Sequence, residues 1–294
     1  MSNRRFAILE APSALGLFPK GVERLPDALL GAGLAEQLSA TRGARILPPT
    51  YDARRDGETQ LLNPHGIRDY SVSLADAVGD CFDAGAFPVV LGGDCSILLG
   101  CLLALRRRGR YGLLFLDGHA DFYQPDAEPN GEAASMDLAL ATGRGPAIVT
   151  DLEGRRPLVR DEDVVAFGRR DAEEAEAHGS QRIEDTAIDL IDLGYVRRAG
   201  AAAVAARAIR RLSRPPSAGF WIHLDADVLD DAIMPAVDYR MRGGLSWSEL
   251  ALILRLAMAT GRAIGIDITI FNPALDADGS IARAFVRTLV AALD

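Results

Sequence analysis

LLFLDGHADFYQP, residues 113–125, is an apolar run, Leu113 to Leu116, that ends in three potential metal ligands, Asp117, His119 and Asp121. Residues two apart on an extended chain project to the same side. The three side chains can therefore converge on one point just beyond a buried strand. A carboxylate–imidazole–carboxylate set suits a hard or borderline divalent cation such as Mn2+, Zn2+ or Fe2+. An Asp-rich loop with one hydrogen-bonded histidine accounts for these residues equally well, so the rest of the chain has to decide.

A second acidic cluster, WIHLDADVLDD at residues 221–231, places His223, Asp225 and Asp227 on one face by the same alternation. One Asp-x-Asp after a strand can be a turn held by side-chain-to-backbone bonds; two such clusters are harder to dismiss. Several buried carboxylates side by side are costly unless cations neutralise them. Two metal ions would do so, and would lower the pKa of a shared water.

Between the clusters, strands and helices alternate. Strands are expected at residues 5–9, 46–48, 87–91, 113–116, 164–167, 188–190, 220–224 and 263–270. Helices are expected at residues 27–38 behind Pro26, and at 67–84, 97–107, 136–142, 201–212, 247–260 and 281–293. This pattern predicts an α/β protein, a three-layer α/β/α arrangement with a mostly parallel central sheet, as one domain over residues 1–294. In such sheets, sites collect outside the carboxyl ends of the strands. Asp94, Asp117, Asp225 and Asn272 all fall there.

A formal net charge of -9 argues against a nucleic-acid partner held by phosphate contacts. Arg106 to Arg108 read as a helix end, where the dipole favours cations. No apolar stretch is long enough to span a bilayer, and residues 1–16 show no signal-peptide pattern. Cys81, Cys95 and Cys101 have no zinc-type pairing and read as reduced thiols, so a cytoplasmic location is expected.

With both clusters in view, the sequence resembles the ureohydrolases, the family of arginase, agmatinase and formimidoylglutamase. Gly21-Val22-Glu23 with Pro26 is similar to the family's Gly-Val-Glu-x-Gly-Pro segment, and Gly92-Gly93-Asp94-Cys95-Ser96 to its Gly-Gly-Asp-His-Ser motif. Residues 117–121 match Asp-x-His-x-Asp, and residues 223–227 resemble Ser-x-Asp-x-Asp. Pro235, Gly243-Gly244-Leu245-Ser246 and Asn272-Pro273 keep the later spacing. The resemblance implies a binuclear manganese hydrolase, usually a homotrimer or homohexamer, acting on a small-molecule substrate. In it a metal-bridging hydroxide attacks the planar carbon of a guanidino, hydroxyguanidino or formimino group. Carried over by position, Asp117 and Asp225 would bridge two Mn2+ ions. His119 and Asp227 would complete one shell, and Asp121 with Cys95 the other. Asp121 or a nearby acid would relay the proton to the leaving nitrogen, with His223 as a second catalytic candidate.

Three departures qualify this. Cys95 stands where the family has a metal-binding histidine; it is a buried apolar residue, a thiolate ligand favouring Zn2+ or Fe2+ over Mn2+, or the mark of a weak or absent second ion. His223 stands where the family has serine; it either hydrogen-bonds a ligand carboxylate or supplies the missing nitrogen ligand. Tyr123 replaces an asparagine that helps hold the substrate carboxylate in arginase. Ala134-Ser135 fall where the family has a shuttle histidine followed by glycine. Thr269 or Ile270 falls where it has a guanidinium-binding glutamate. These changes argue against a standard arginase. Glu132 or Asp238 is the candidate replacement for that glutamate, and Arg240 with Arg242 the candidate clamp for a substrate carboxylate. Met136 and Trp221 read as core. The rival from another class is a ureohydrolase-fold binding or regulatory subunit without catalysis.

Overall fold

The computed structural model describes residues 4–294. Eight strands form one sheet: β1 (Phe6–Glu10), β2 (Thr41–Arg45), β3 (Phe87–Leu91), β4 (Gly112–Leu116), β5 (Val164–Arg169), β6 (Asp189–Asp192), β7 (Phe220–Asp225) and β8 (Ala263–Thr269). Their order is β2-β1-β3-β8-β7-β4-β5-β6, and every pair is parallel. The apolar runs FPVVL and GLLFL are buried at every position, as strands covered on both faces must be. Val89, Leu91, Leu114 and Leu116 join one core with helices Ala201–Leu212, Trp247–Ala259 and Ser280–Leu293. Val90, Leu113 and Phe115 join a second core with helices Pro64–Asp83 and Leu98–Arg106. Two cores separated by a sheet make the expected three layers.

Topology, more than any local pattern, builds the site. After β3 the chain leaves a gap two strands wide before laying down β4, and β7 and β8 later return to fill it. The carboxyl ends of β3, β8, β7 and β4 thus lie side by side, although they come from distant segments. Cys95, Ile270, Asp225 and Asp117 sit at or just past those ends. A switch in strand order of this kind opens the crevice in which open α/β sheets bind ligands.

Two expectations need correction. The second strand is Thr41–Arg45, with every residue exposed, and not residues 46–48. As an edge strand it pairs with β1 alone, while Arg42 and Arg45 reach Glu10 at 2.6 and 2.7 Å; it therefore carries no apolar signature. The first helix ends at Gly31, and Gly33, at φ 88°, starts a separate short turn of helix at Leu34–Gln37.

Past β3, the Gly92-Gly93 turn runs hard against the segment after β1. A Cβ at Gly93 would lie 1.8 Å from the Ser13 carbonyl oxygen, which also accepts the Asp94 N–H at 3.0 Å. Backbone on both sides leaves little room to shift. Gly93→Ala is expected to cost about 2 kcal/mol, seen as a thermal midpoint several degrees lower; an unchanged midpoint would show the turn to be loose.

Candidate metal centre

Asp117 follows β4 directly. Its Oδ1 accepts the His119 N–H at 2.6 Å, and its Oδ2 is buried without a hydrogen-bond partner. His119 Nδ1 lies 2.8 Å from Asp227 Oδ2, and Asp227 Oδ1 accepts the Gly118 N–H at 3.0 Å. Asp121 has a left-handed backbone, φ 43°, a conformation aspartate tolerates better than bulkier residues. At the end of β7, Asp225 accepts the Asp227 N–H through Oδ1 at 2.7 Å and the Cys95 thiol through Oδ2 at 3.0 Å. Cys95 Sγ is also 3.2 Å from Thr269 Oγ1.

His223 is fully buried in β7, in register between Phe115 on β4 and Asp267 on β8. In parallel strands those neighbours share its face. Its ring stacks on Phe115 with centroids 4.7 Å apart, and its Nδ1 meets Asp267 Oδ2 at 2.5 Å. The other Asp267 oxygen accepts the Trp221 indole N–H, so Trp221 is core but also steadies the site. His223 Nε2 has no partner, and neither oxygen of Asp137 has one.

Burial, and then the neighbouring Asp227 charge, raises Asp117 to about 6. Burial, reinforced by nearby carboxylates, pushes Asp121, Asp137 and Asp225 well above the usual carboxylate range. The Cys95 thiol is pushed up by burial and by Asp225. Burial disfavours the charged form of His119, but Asp227 and Asp117 outweigh it and raise its pKa. Burial also opposes ionisation of Asp227, but His119 outweighs it and holds Asp227 below its ordinary value. Protein cations alone do not compensate this much negative charge.

Three ligand groups, each with atoms mutually within 4.8 Å, result: Asp117, His119 and Asp227; Cys95, Asp117, His223 and Asp225; and Cys95, Asp121 and Asp137. The unpartnered oxygens of Asp117 and Asp137 and the unpartnered nitrogen of His223 fit divalent cations, because buried polar atoms are otherwise almost always paired.

A cavity of about 230 Å³ opens onto Cys95, His119, Asp121, Asp225 and Asp227. Five of the six expected metal ligands line it, and the sixth, Asp117, joins His119 and Asp227 in one ligand group and Cys95, Asp225 and His223 in another. Of the four expected substrate residues, Tyr123 lines the cavity. Glu132 lies buried behind the wall and accepts the Tyr239 hydroxyl at 2.6 Å. Asp238 accepts from Asn272 Nδ2 at 2.8 Å, and the Arg240 guanidinium turns outward to Asp231 at 3.3 Å. At the family's glutamate position, Ile270 lines the cavity while Thr269 contacts Cys95.

Sequence reasoning missed Asp137 and Asp267. Each is a lone carboxylate in an apolar run, MDLALA and AIGIDIT, and that isolation was the available signal, since an unpaired buried aspartate is rare.

A model of the arginase family matches residues 4–293. The chain belongs to the arginase family. An arginase from Brevibacillus brevis is 28% identical over 300 residues, covering 98% of this chain and 97% of the relative. The crystal structure of arginase from Bacillus cereus superposes with a TM-score of 0.87 at 27% identity, covering 99% of this chain and 98% of that one. A hypothetical agmatinase from Burkholderia thailandensis shares the fold at a TM-score of 0.72 and 19% identity, covering 99% of this chain and 85% of the other. The all-parallel sheet is thus the arginase-family sheet, and the chain is a hydrolase of that family.

Proposed function

We propose that the chain hydrolyses a C–N bond of a small guanidino, hydroxyguanidino or formimino compound, using two divalent cations, Mn2+ with Zn2+ or Fe2+ as alternatives. The observation that carries this reading is the set of three overlapping ligand groups, with unpartnered donor atoms, on the floor of one cavity. Asp117 belongs to two of the groups and would hold both ions; His119 and Asp227 would complete one site. Bound there, divalent cations supply Lewis acidity and lower the pKa of a coordinated water.

The chain's own residues account for the other steps. Asp121, whose pKa is raised by burial, would hold a proton and pass it to the leaving nitrogen. Tyr123 and Tyr239 on the wall can orient the substrate. Among the described residues no Lys or Arg lines this cavity, and Ile270 presents an apolar surface where the family's glutamate would meet a guanidinium. Ile270 favours a weakly basic amidine, whereas Glu128, Asp171 and Glu174 on the same wall and the arginase names of the relatives favour a guanidino compound. Both lie within the proposed class.

The test is release of urea or ammonia by the Mn2+- or Zn2+-loaded protein across arginine, agmatine, hydroxyguanidino and formimino compounds. Turnover of at least one is expected. A metal-loaded protein silent on the whole panel would transfer the fold to the binding or regulatory role, which Ala134 and Ser135 on the wall, in place of a shuttle histidine, would then explain.

A further inference from the structure

In this chain the imidazole that the arginase-family motif supplies after β3 is missing, because Cys95 stands there. The geometry points to His223 as its replacement: Nε2 of His223, with Asp117 and Asp225, forms the second metal position, so the nitrogen ligand has moved from the turn after β3 to the adjacent strand β7. The assignment rests on the metal-dependent reading above and deepens it.

Four observations carry it. His223 is wholly buried, yet its Nε2 has no hydrogen-bond partner; a histidine serving only the core would leave that lone pair uncompensated at a cost. Its Nδ1 faces a carboxylate oxygen of Asp267, so in the neutral imidazole Nδ1 carries the proton and Nε2 keeps its lone pair. Asp267 is itself held by the Trp221 indole, and Phe115 fixes the ring plane. A carboxylate behind an imidazole is how ligand histidines are commonly oriented. Finally, a ring nitrogen of His223 lies within 4.8 Å of ligand atoms of Cys95, Asp117 and Asp225, a span that a shell of ~2.0–2.2 Å metal–ligand bonds closes with small shifts; Nε2 is the ring nitrogen that Asp267 leaves free.

The nearest competing account pairs Nε2 with Asp137, but that separation is 3.9 Å, too long for a hydrogen bond. Both oxygens of Asp137 are themselves unpartnered. In this arrangement the Cys95 thiol donates to Asp225 and so positions that ligand.

The test loads the full-length protein with Co2+. Elemental analysis is expected to give two ions per chain in the wild type and one in His223→Gln, with the ion at His119 retained. Since a core substitution can also prevent folding, the wild type provides a second readout. The chain has only four histidines, and each imidazole bound to Co2+ gives a paramagnetically shifted, exchangeable N–H resonance. Two are expected, and the one from His223 should exchange slowly because its Nδ1–H is buried against Asp267. A single shifted imidazole resonance, or a His223→Gln variant that keeps both ions, overturns the assignment. A wild type that takes up no cation overturns the metal-dependent reading instead, so the two failures are distinguishable.

Discussion

Asp117→Asn is expected to lower hydrolysis by well over 100-fold and to reduce the bound metal. Losing a partner that merely orients a ligand costs roughly 10–100-fold in metal affinity or activity, and under the proposed function Asp117 would be a ligand itself, as a member of two of the three candidate groups. Asparagine is nearly isosteric, and its amide oxygen can still accept the His119 N–H that Oδ1 accepts at 2.6 Å. The fold should therefore survive. Because the substitution removes a buried charge, the metal-free variant should melt no lower than the metal-free wild type, and this separates a site defect from a folding defect. Metal content, turnover and the two midpoints together check it; full activity with both ions bound would contradict the site.

The second large effect is the response of the metal-free protein to pH. Asp117 rises to about 6 in the folded chain, first through burial and then through the Asp227 charge, against an ordinary value near 3.9. Asp121, Asp137 and Asp225 shift the same way. The folded state therefore binds these protons more tightly than the unfolded state does. That stabilisation is fully present below about pH 4 and is lost as pH rises through 6. For Asp117 alone the change is on the order of 3 kcal/mol. The thermal midpoint of the chelated protein should fall between roughly pH 4.5 and 7, and added divalent cation should restore it most strongly at the upper end. A chelated protein whose midpoint is flat or rising over that range, with no response to cations, would mean that the carboxylates are already compensated.

The legibility of this chain follows from how each feature is encoded. Buried central strands such as Phe87–Leu91 and Gly112–Leu116 must be apolar on both faces, so they stand out in sequence. Helix Ala201–Leu212 has the limits expected of it, because an apolar stripe at helical spacing runs its full length. The edge strand Thr41–Arg45 buries nothing and left no pattern to find. Asp117, His119 and Asp121 were recognisable because their period of two is local, and so were His223, Asp225 and Asp227. The substrate wall was less legible. Glu132 and Arg240 were chosen by position along the chain, whereas the side-chain directions that turn one behind Tyr239 and the other toward Asp231 depend on how the loops pack.

By itself the sequence determined the α/β class, the family and most of the candidate ligand side chains, because strand periodicity and short motifs are properties of contiguous residues. Tertiary structure alone decided which distant ligands share a point, through the late insertion of β7 and β8 between β3 and β4. It also decided the setting of His223: the register that stacks it on Phe115, ties it to Asp267 and leaves its Nε2 facing Asp137. Those contacts cross strands far apart in the chain, and no local spacing records them.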